Sequence, residues 1–185
     1  MNSPDVRRLF LALWPDNAVR DALVQLQRRL PPGIGRLVSG DNLHLTLIFL
    51  GSTPAERQGC IEEALTEVDA TGFSLQLDRL GYWRKPQVLW AGSAATPPPL
   101  SALVRETQDC VHHCGGAVDD RPFQIHLTLC RKVRKAPRDL PAVTPISWPV
   151  KAFALVESVT AAAGAQYRVL REWPLAAGTD GGTSQ

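Results

Sequence analysis

"NLHLTLIFLG", residues 42–51, reads as an apolar strand broken on one face by a histidine and a threonine, and "IHLTLC", residues 125–130, repeats the pattern. In a strand, side chains at i and i+2 share a face. His44 therefore lies beside Thr46, and His126 beside Thr128, while Leu45, Leu47, Leu127 and Leu129 pack on the other side. A lone histidine on a half-buried strand is usually a satisfied core residue. Here two of the chain's four histidines stand in the same tetrapeptide, and that repetition asks for a shared explanation. The ordinary imidazole pKa, about 6.5, lets the ring take or give a proton near neutrality. Two imidazoles on facing strands can act as general base and general acid across one substrate atom, each worth roughly 100- to 10,000-fold. The threonine hydroxyls can donate to the non-bridging oxygens of an anion held between them. A metal site fits less well, because no carboxylate shares these strand faces and catalytic zinc wants three protein ligands.

The two motifs sit in chain halves of similar rhythm. "RRLFLALWP" is a strand stopped by Pro15, after which Asp16 caps a helix carrying Val19, Leu23, Leu26 and Leu30 at three- and four-residue steps. The first motif strand spans 43–50, and "STPAERQGCIEEALTEV" follows as a helix with Thr53 as cap, Pro54 as its first residue and Glu56 completing the capping signature. "GFSLQLDRLGYWRKPQVLWAGS" predicts two strands around a turn near Lys85 and Pro86. The prolines of "TPPPLSALVRETQDCVHHCGG" open a helix whose apolar stripe is Leu100, Leu103, Val104, Thr107, Val111 and Cys114. The second motif strand, then "VKAFALVESV" and "QYRVLREWPL" as a closing pair, complete an α+β pattern with antiparallel or mixed sheets. One domain over residues 6–175 is expected, with 176–185 as a disordered tail.

Composition narrows the partners. A chain of 185 residues with 44% hydrophobic and 21% charged content can bury one sizeable core. The net charge of +2 is too weak to argue for broad wrapping of nucleic acid, although "CRKVRKAPR" is locally basic. No segment approaches the roughly 18 apolar residues of a membrane span. The N-terminus lacks an export signal, and the four cysteines lack paired CxxC spacing, so a protein of the reducing cytoplasm is expected.

Taken in order, "RRLFLALWP", "NLHLTLIFLG", "RPFQIHLTLCR", "FALVESV" and "YRVLREWPL" resemble the 2H phosphoesterase superfamily, specifically its bacterial and archaeal RNA 2',3'-cyclic phosphodiesterases, once called 2'-5' RNA ligases. The resemblance implies a bilobal fold, two antiparallel sheets facing across a central cleft with helices outside. It implies that His44 protonates the leaving 3'-oxygen, that His126 activates the attacking water, and that Thr46, Thr128 and Arg131 bind the phosphate. It also implies an RNA end with a 2'-phosphate as product, no metal or other cofactor, and weak reverse joining of RNA ends in some members. The chemistry suits the residues: a strained cyclic monoanion with an alkoxide leaving group needs a base on one side and an acid opposite. Such an end requires a 2'-hydroxyl, so RNA is the expected partner and DNA and membrane are not. A monomer is expected.

Two details stand apart from the family pattern. Strict alternation points Arg131 away from His126, so it reaches a phosphate only if the strand ends, twists or bulges there. Ile125 occupies the place before the second histidine where the family often has proline. "CVHHC" at 110–114 reads as a helix end rather than a zinc site, because His112 and His113 diverge around the helix. Lys132, Arg134, Lys135 and Arg138 form either a solvated face or a steering surface for RNA backbone. Trp83, Trp90, Trp148, Trp173, Tyr82 and Phe10 read as core aromatics, Tyr82 and Trp83 being the better candidates for stacking on a base. Other small cyclic phosphodiesters, a 2'-5' linkage, and a noncatalytic module that merely holds an RNA end are the competing readings.

Overall fold

The computed structural model describes residues 6–119, 121–161 and 164–178. Strand β1 (Val6–Leu13) buries both faces over its second half. Asp16 then caps α1 (Asn17–Arg28) by accepting from the Val19 amide at 2.9 Å, as the sequence predicts. The buried side of α1 is Val19, Leu23 and Leu26, with Gln27 added to it. Next come a two-residue strand β2 (Arg36–Leu37), β3 (Leu45–Pro54) and α2 (Ala55–Ala64). The chain continues with β4 (Phe73–Leu77), β5 (Arg79–Trp83), β6 (Val88–Gly92), α3 (Pro98–His113) and β7 (Leu127–Arg131). It closes with β8 (Ile146–Val150), β9 (Ala152–Ala161) and β10 (Gly164–Pro174).

Two antiparallel sheets result, and they are unequal. The larger has eight strands in the order β10-β9-β1-β3-β7-β6-β5, with β2 paired to β7; the smaller is β4-β8. The two motif strands are direct neighbours at the middle of the larger sheet, joined in register at Leu45 and Leu127. On one side lie the β1–β3, β1–β9 and β9–β10 ladders, and on the other the β5–β6 and β6–β7 ladders. With only that one register pair between them, the halves meet at the motif strands and the cleft opens beside the junction. The main core fills the face that carries Leu9, Leu11, Leu13, Leu45, Leu127 and Leu129. Phe10, Ala12, Ala154 and Val156 form a second, small cluster with Trp14, Tyr167 and Val169 packed on it.

Several sequence expectations are corrected. Helix α2 starts one residue later than the capping signature predicts: Pro54 is the cap, and the Thr53 hydroxyl donates backward to the carbonyls of Gly51 and Leu50. The expected first strand of the 73–92 hairpin is two strands, because Asp78 breaks it. The Asp78 amide donates to Gly92 O and its carboxylate accepts from Ala94 N, which lets β4 leave to pair with β8. Cys60 and Cys114 form a disulfide between α2 and the end of α3, where the sequence reading expects free thiols. Helix packing brings them together, and nothing in their 54-residue separation announces it. Ala176, expected in the tail, pairs with Ala70, Thr71 and Gly72; residues 179–185 lie outside the described residues.

Candidate active site

Both histidines stand one residue before the ladder that carries their motif: β3 begins at Leu45 and β7 at Leu127. Each ring turns back on its own chain in the same way. His44 Nδ1 lies 2.7 Å from Asn42 O, and His126 Nδ1 lies 2.9 Å from Gln124 O. A carbonyl oxygen only accepts, so Nδ1 carries the hydrogen in both rings and Nε2 is left to gain or lose a proton. The carbonyl two residues upstream is a backbone group that any residue supplies, so no side-chain signal marked it.

Register then relates the motifs. Because Leu45 faces Leu127 in an antiparallel pair, stepping one residue each way sets His44 against Thr128 and Thr46 against His126. All four side chains share the face opposite the leucines. Thr46 is buried and Thr128 is half-buried.

Arg131 joins them through a bulge. On the neighbouring ladder Trp90 pairs with Thr128, but Leu89 pairs with Cys130, so β7 spends two residues where β6 spends one. Leu129 is the extra residue. In consequence Leu129 and Cys130 are consecutive buried side chains, and Arg131 returns to the Thr128 face. The bulged carbonyl is held from two sides: Leu129 O accepts from Val38 N at 2.9 Å and from Gln27 Nε2 at 2.8 Å. The same Gln27 amide also donates to Val38 O at 2.8 Å. Sequence reading set the condition under which Arg131 reaches the site, and missed the buried glutamine that secures it.

A cleft of about 790 Å³ opens here, lined by His44, Thr128 and Arg131 together with Gln27, Arg36, Asn42, Lys132 and Tyr167. His126 and Thr46 are not among its lining residues; His126 is nonetheless close enough for its charge to act on His44. The two rings have different surroundings. Trp14 stacks on His44 at 5.4 Å and 6°, Phe10 lies at 4.9 Å, and Tyr167 meets it edge-on at 5.0 Å. His126 has Trp83 at 4.6 Å. Phe10 and Trp83 are among the aromatics singled out from the sequence; Trp14 and Tyr167 are not, since Trp14 meets His44 through the β1–β3 pairing of Leu13 with Leu45 and Tyr167 through the β1–β9 and β9–β10 ladders. Ile125 is buried in the main core, so the residue standing in the family's proline position serves packing.

Burial pushes the His44 imidazole down from 6.5 to about 4, Arg131 and His126 push the same way, and the Asn42 carbonyl opposes them. Burial also lowers His126, with the Gln124 carbonyl opposing and Arg131 adding to the shift. Both rings are therefore neutral at pH 7 in the unliganded protein, and an anion placed to offset Arg131 would raise both. Among the described residues no three His, Cys, Asp or Glu side chains are grouped as metal ligands, and no helix is long and apolar enough to cross a membrane.

The model of the family "LigT like Phosphoesterase" matches residues 13–90. An RNA 2',3'-cyclic phosphodiesterase of Escherichia coli is 32% identical, over 91% of this chain and 97% of its own length. That of Thermus thermophilus is 35% identical, over 91% of this chain and 90% of its own. The crystal structure of E. coli LigT complexed with 3'-AMP superposes with a TM-score of 0.86 and 32% identity, covering 92% of this chain and 99% of the other. With both motif histidines, their threonines and the rephased arginine held on one sheet face, and with relatives matched along nearly their whole length, the chain belongs to the LigT-like phosphoesterase family and is a cyclic phosphodiesterase.

Proposed function

We propose that residues 6–175 form one bilobal domain that hydrolyses the terminal 2',3'-cyclic phosphate of RNA to a 2'-phosphate without a metal. His126 Nε2 takes a proton from water as its oxygen bonds to phosphorus. The P–O3' bond breaks on the opposite side, and His44 Nε2 delivers a proton to the departing 3'-oxygen. Thr46, Thr128 and Arg131 hold the non-bridging oxygens as charge develops on them. The observation that carries this reading is the shared tautomer: each ring spends Nδ1 on a backbone carbonyl, so each keeps Nε2 for the reaction. His44, whose pKa is the more clearly depressed in the free enzyme, becomes an acid only when the phosphate's charge is beside it.

An RNA 5'-hydroxyl taking the water's place attacks the same phosphorus and leaves a 2'-5' linkage, which accounts for weak reverse joining. All groups named come from one chain, as a monomer requires, and an RNA substrate fits a cytoplasmic enzyme. A small cyclic nucleotide is the second reading, favoured by a cleft whose volume suits a single small ligand.

The test is incubation of the protein, in EDTA, with a short RNA ending in 2',3'-cyclic phosphate, followed by identification of the product end. A 2'-phosphate is expected, with His44→Ala and His126→Ala each losing roughly 100- to 10,000-fold in kcat while still binding the end. Turnover unchanged in either variant overturns the assignment.

A further inference from the structure

Two stretches of chain far apart in sequence meet beside the end of the cleft that Arg131 and Lys132 line. Arg131 lines the cleft and so does Lys132, whose φ of 58° turns the chain sharply as β7 ends. That turn sends Val133 into the core at 0% exposure and leaves Lys132, Arg134, Lys135 and Arg138 exposed. Val133 is clamped at both backbone groups by the β5–β6 hairpin: its N–H donates to Gln87 O at 3.1 Å, and its carbonyl accepts from Tyr82 Oη at 2.8 Å. Gln87, at φ 65°, and Lys132 are the two non-glycine residues of positive φ among those described, and they flank this contact. Side-chain-bearing residues seldom adopt that conformation, so the backbone is bent specifically where the turn docks on the basic run. The docked turn carries Arg84 and Lys85, both exposed.

Arg84, Lys85, Lys132, Arg134 and Lys135 thus flank one docked contact, with the exposed Arg138 three residues further on, and the run reaches the cleft through Lys132. None of the six is paired with a carboxylate among the described residues, whose ion pairs lie elsewhere. Asp139 is the one acidic residue within 131–140, and there is none within 79–92. The whole chain carries only +2, so this concentration does not follow from a generally basic protein. Resting on the function proposed above, we infer that Arg84, Lys85, Lys132, Arg134, Lys135 and Arg138 hold the phosphate backbone of the RNA strand leading to the terminal phosphate. The substrate is then a polynucleotide, and a mononucleotide occupies only the end of its site. Contacts of this kind are salt-sensitive and indifferent to base sequence.

The test compares the wild type with the variant Arg84→Ser, Lys85→Ser, Arg134→Ser, Lys135→Ser, which leaves Arg131 and Lys132 in place. Two substrates are used, a dinucleotide and an RNA of about 20 nucleotides, each ending in 2',3'-cyclic phosphate. At low salt kcat/KM for the long RNA is expected to fall about tenfold or more, with the dinucleotide essentially unchanged. Binding of a labelled RNA of the same length with a 2'-phosphate end weakens in parallel. Its log–log salt slope shrinks by about 0.7 for each phosphate that the variant no longer neutralises. Arg84→Lys with Arg134→Lys keeps the charges and keeps the binding. Unchanged affinity and slope for the long RNA, or an equal loss on both substrates, overturns the inference. If the wild type opens neither substrate, the proposed function fails instead, and the binding comparison still decides this one.

Discussion

Replacing Gln27 by leucine tests whether the bulge at Leu129 is what delivers Arg131 to the site. The glutamine is 5% exposed and its amide makes two 2.8 Å bonds, to Val38 O and Leu129 O. Leucine fills similar space but donates nothing. Leu129 O keeps its bond from Val38 N, so the variant strips Val38 O of the amide and leaves Leu129 O with one donor. A buried group left unsatisfied costs about 1–3 kcal/mol. At about 2–4 °C per kcal/mol for a chain of this size, the melting temperature drops by several degrees. The effect on activity has a separate ceiling. A hydrogen bond from a charged donor is worth about 1.5–3 kcal/mol, so loss of one Arg131–phosphate bond lowers kcat/KM by roughly 10- to 150-fold at most. The assay is a double-mutant cycle with Arg131→Ala on a cyclic phosphate substrate. If Gln27 acts through Arg131, Gln27→Leu lowers activity in the wild type and adds little to Arg131→Ala. Equal loss in both backgrounds, or lost stability with intact activity, refutes the chain of reasoning from glutamine to bulge to arginine.

Other outcomes follow from the histidines and the cysteines. Because both imidazoles are lowered in the free enzyme, the singly protonated pair exists only at acid pH, and the descending limb of kcat/KM lies below pH 6.5. The substrate's anion raises both, so the descending limb of kcat lies at higher pH; coincident limbs refute this. The same depression is linked to stability. Between pH 6.5 and about 4 the unfolded chain holds a proton at His44 that the folded chain lacks, so stability falls as pH drops through that window, by up to about 3 kcal/mol. His44→Gln removes that slope in acid melting curves, and an unaltered slope counts against a buried neutral ring. For the Cys60–Cys114 disulfide, denatured protein prepared without reductant exposes two titratable thiols, Cys110 and Cys130. Cys60→Ser costs about 4 kcal/mol in chain-entropy terms for a loop of this length. Four titratable thiols before reduction rule the bond out.

What the sequence by itself determined is which candidate site residues share a strand face, and most of the elements. A period of two around His44, Thr46, His126 and Thr128 assigns those side chains to one strand face, because alternation is a property of any extended chain. Asp16 before a three-and-four-residue apolar stripe determines α1, because the cap and the buried face are both local. The tertiary structure decided the rest, wherever the partner is distant in sequence. It made the two motif strands neighbours, so that each histidine faces the other's threonine. It placed Trp14 beside His44 through the β1–β3 ladder, and Tyr167 through the β1–β9 and β9–β10 ladders beyond it. Asp78 breaks a strand that local pattern reads as continuous because its partners are Gly92 and Ala94. The phase of Arg131 depends on a bulge whose carbonyl is held by a glutamine 102 residues away. Periodicity carries no information about such a partner: a glutamine on the buried side of a helix looks like an error until the carbonyl that it satisfies is in view.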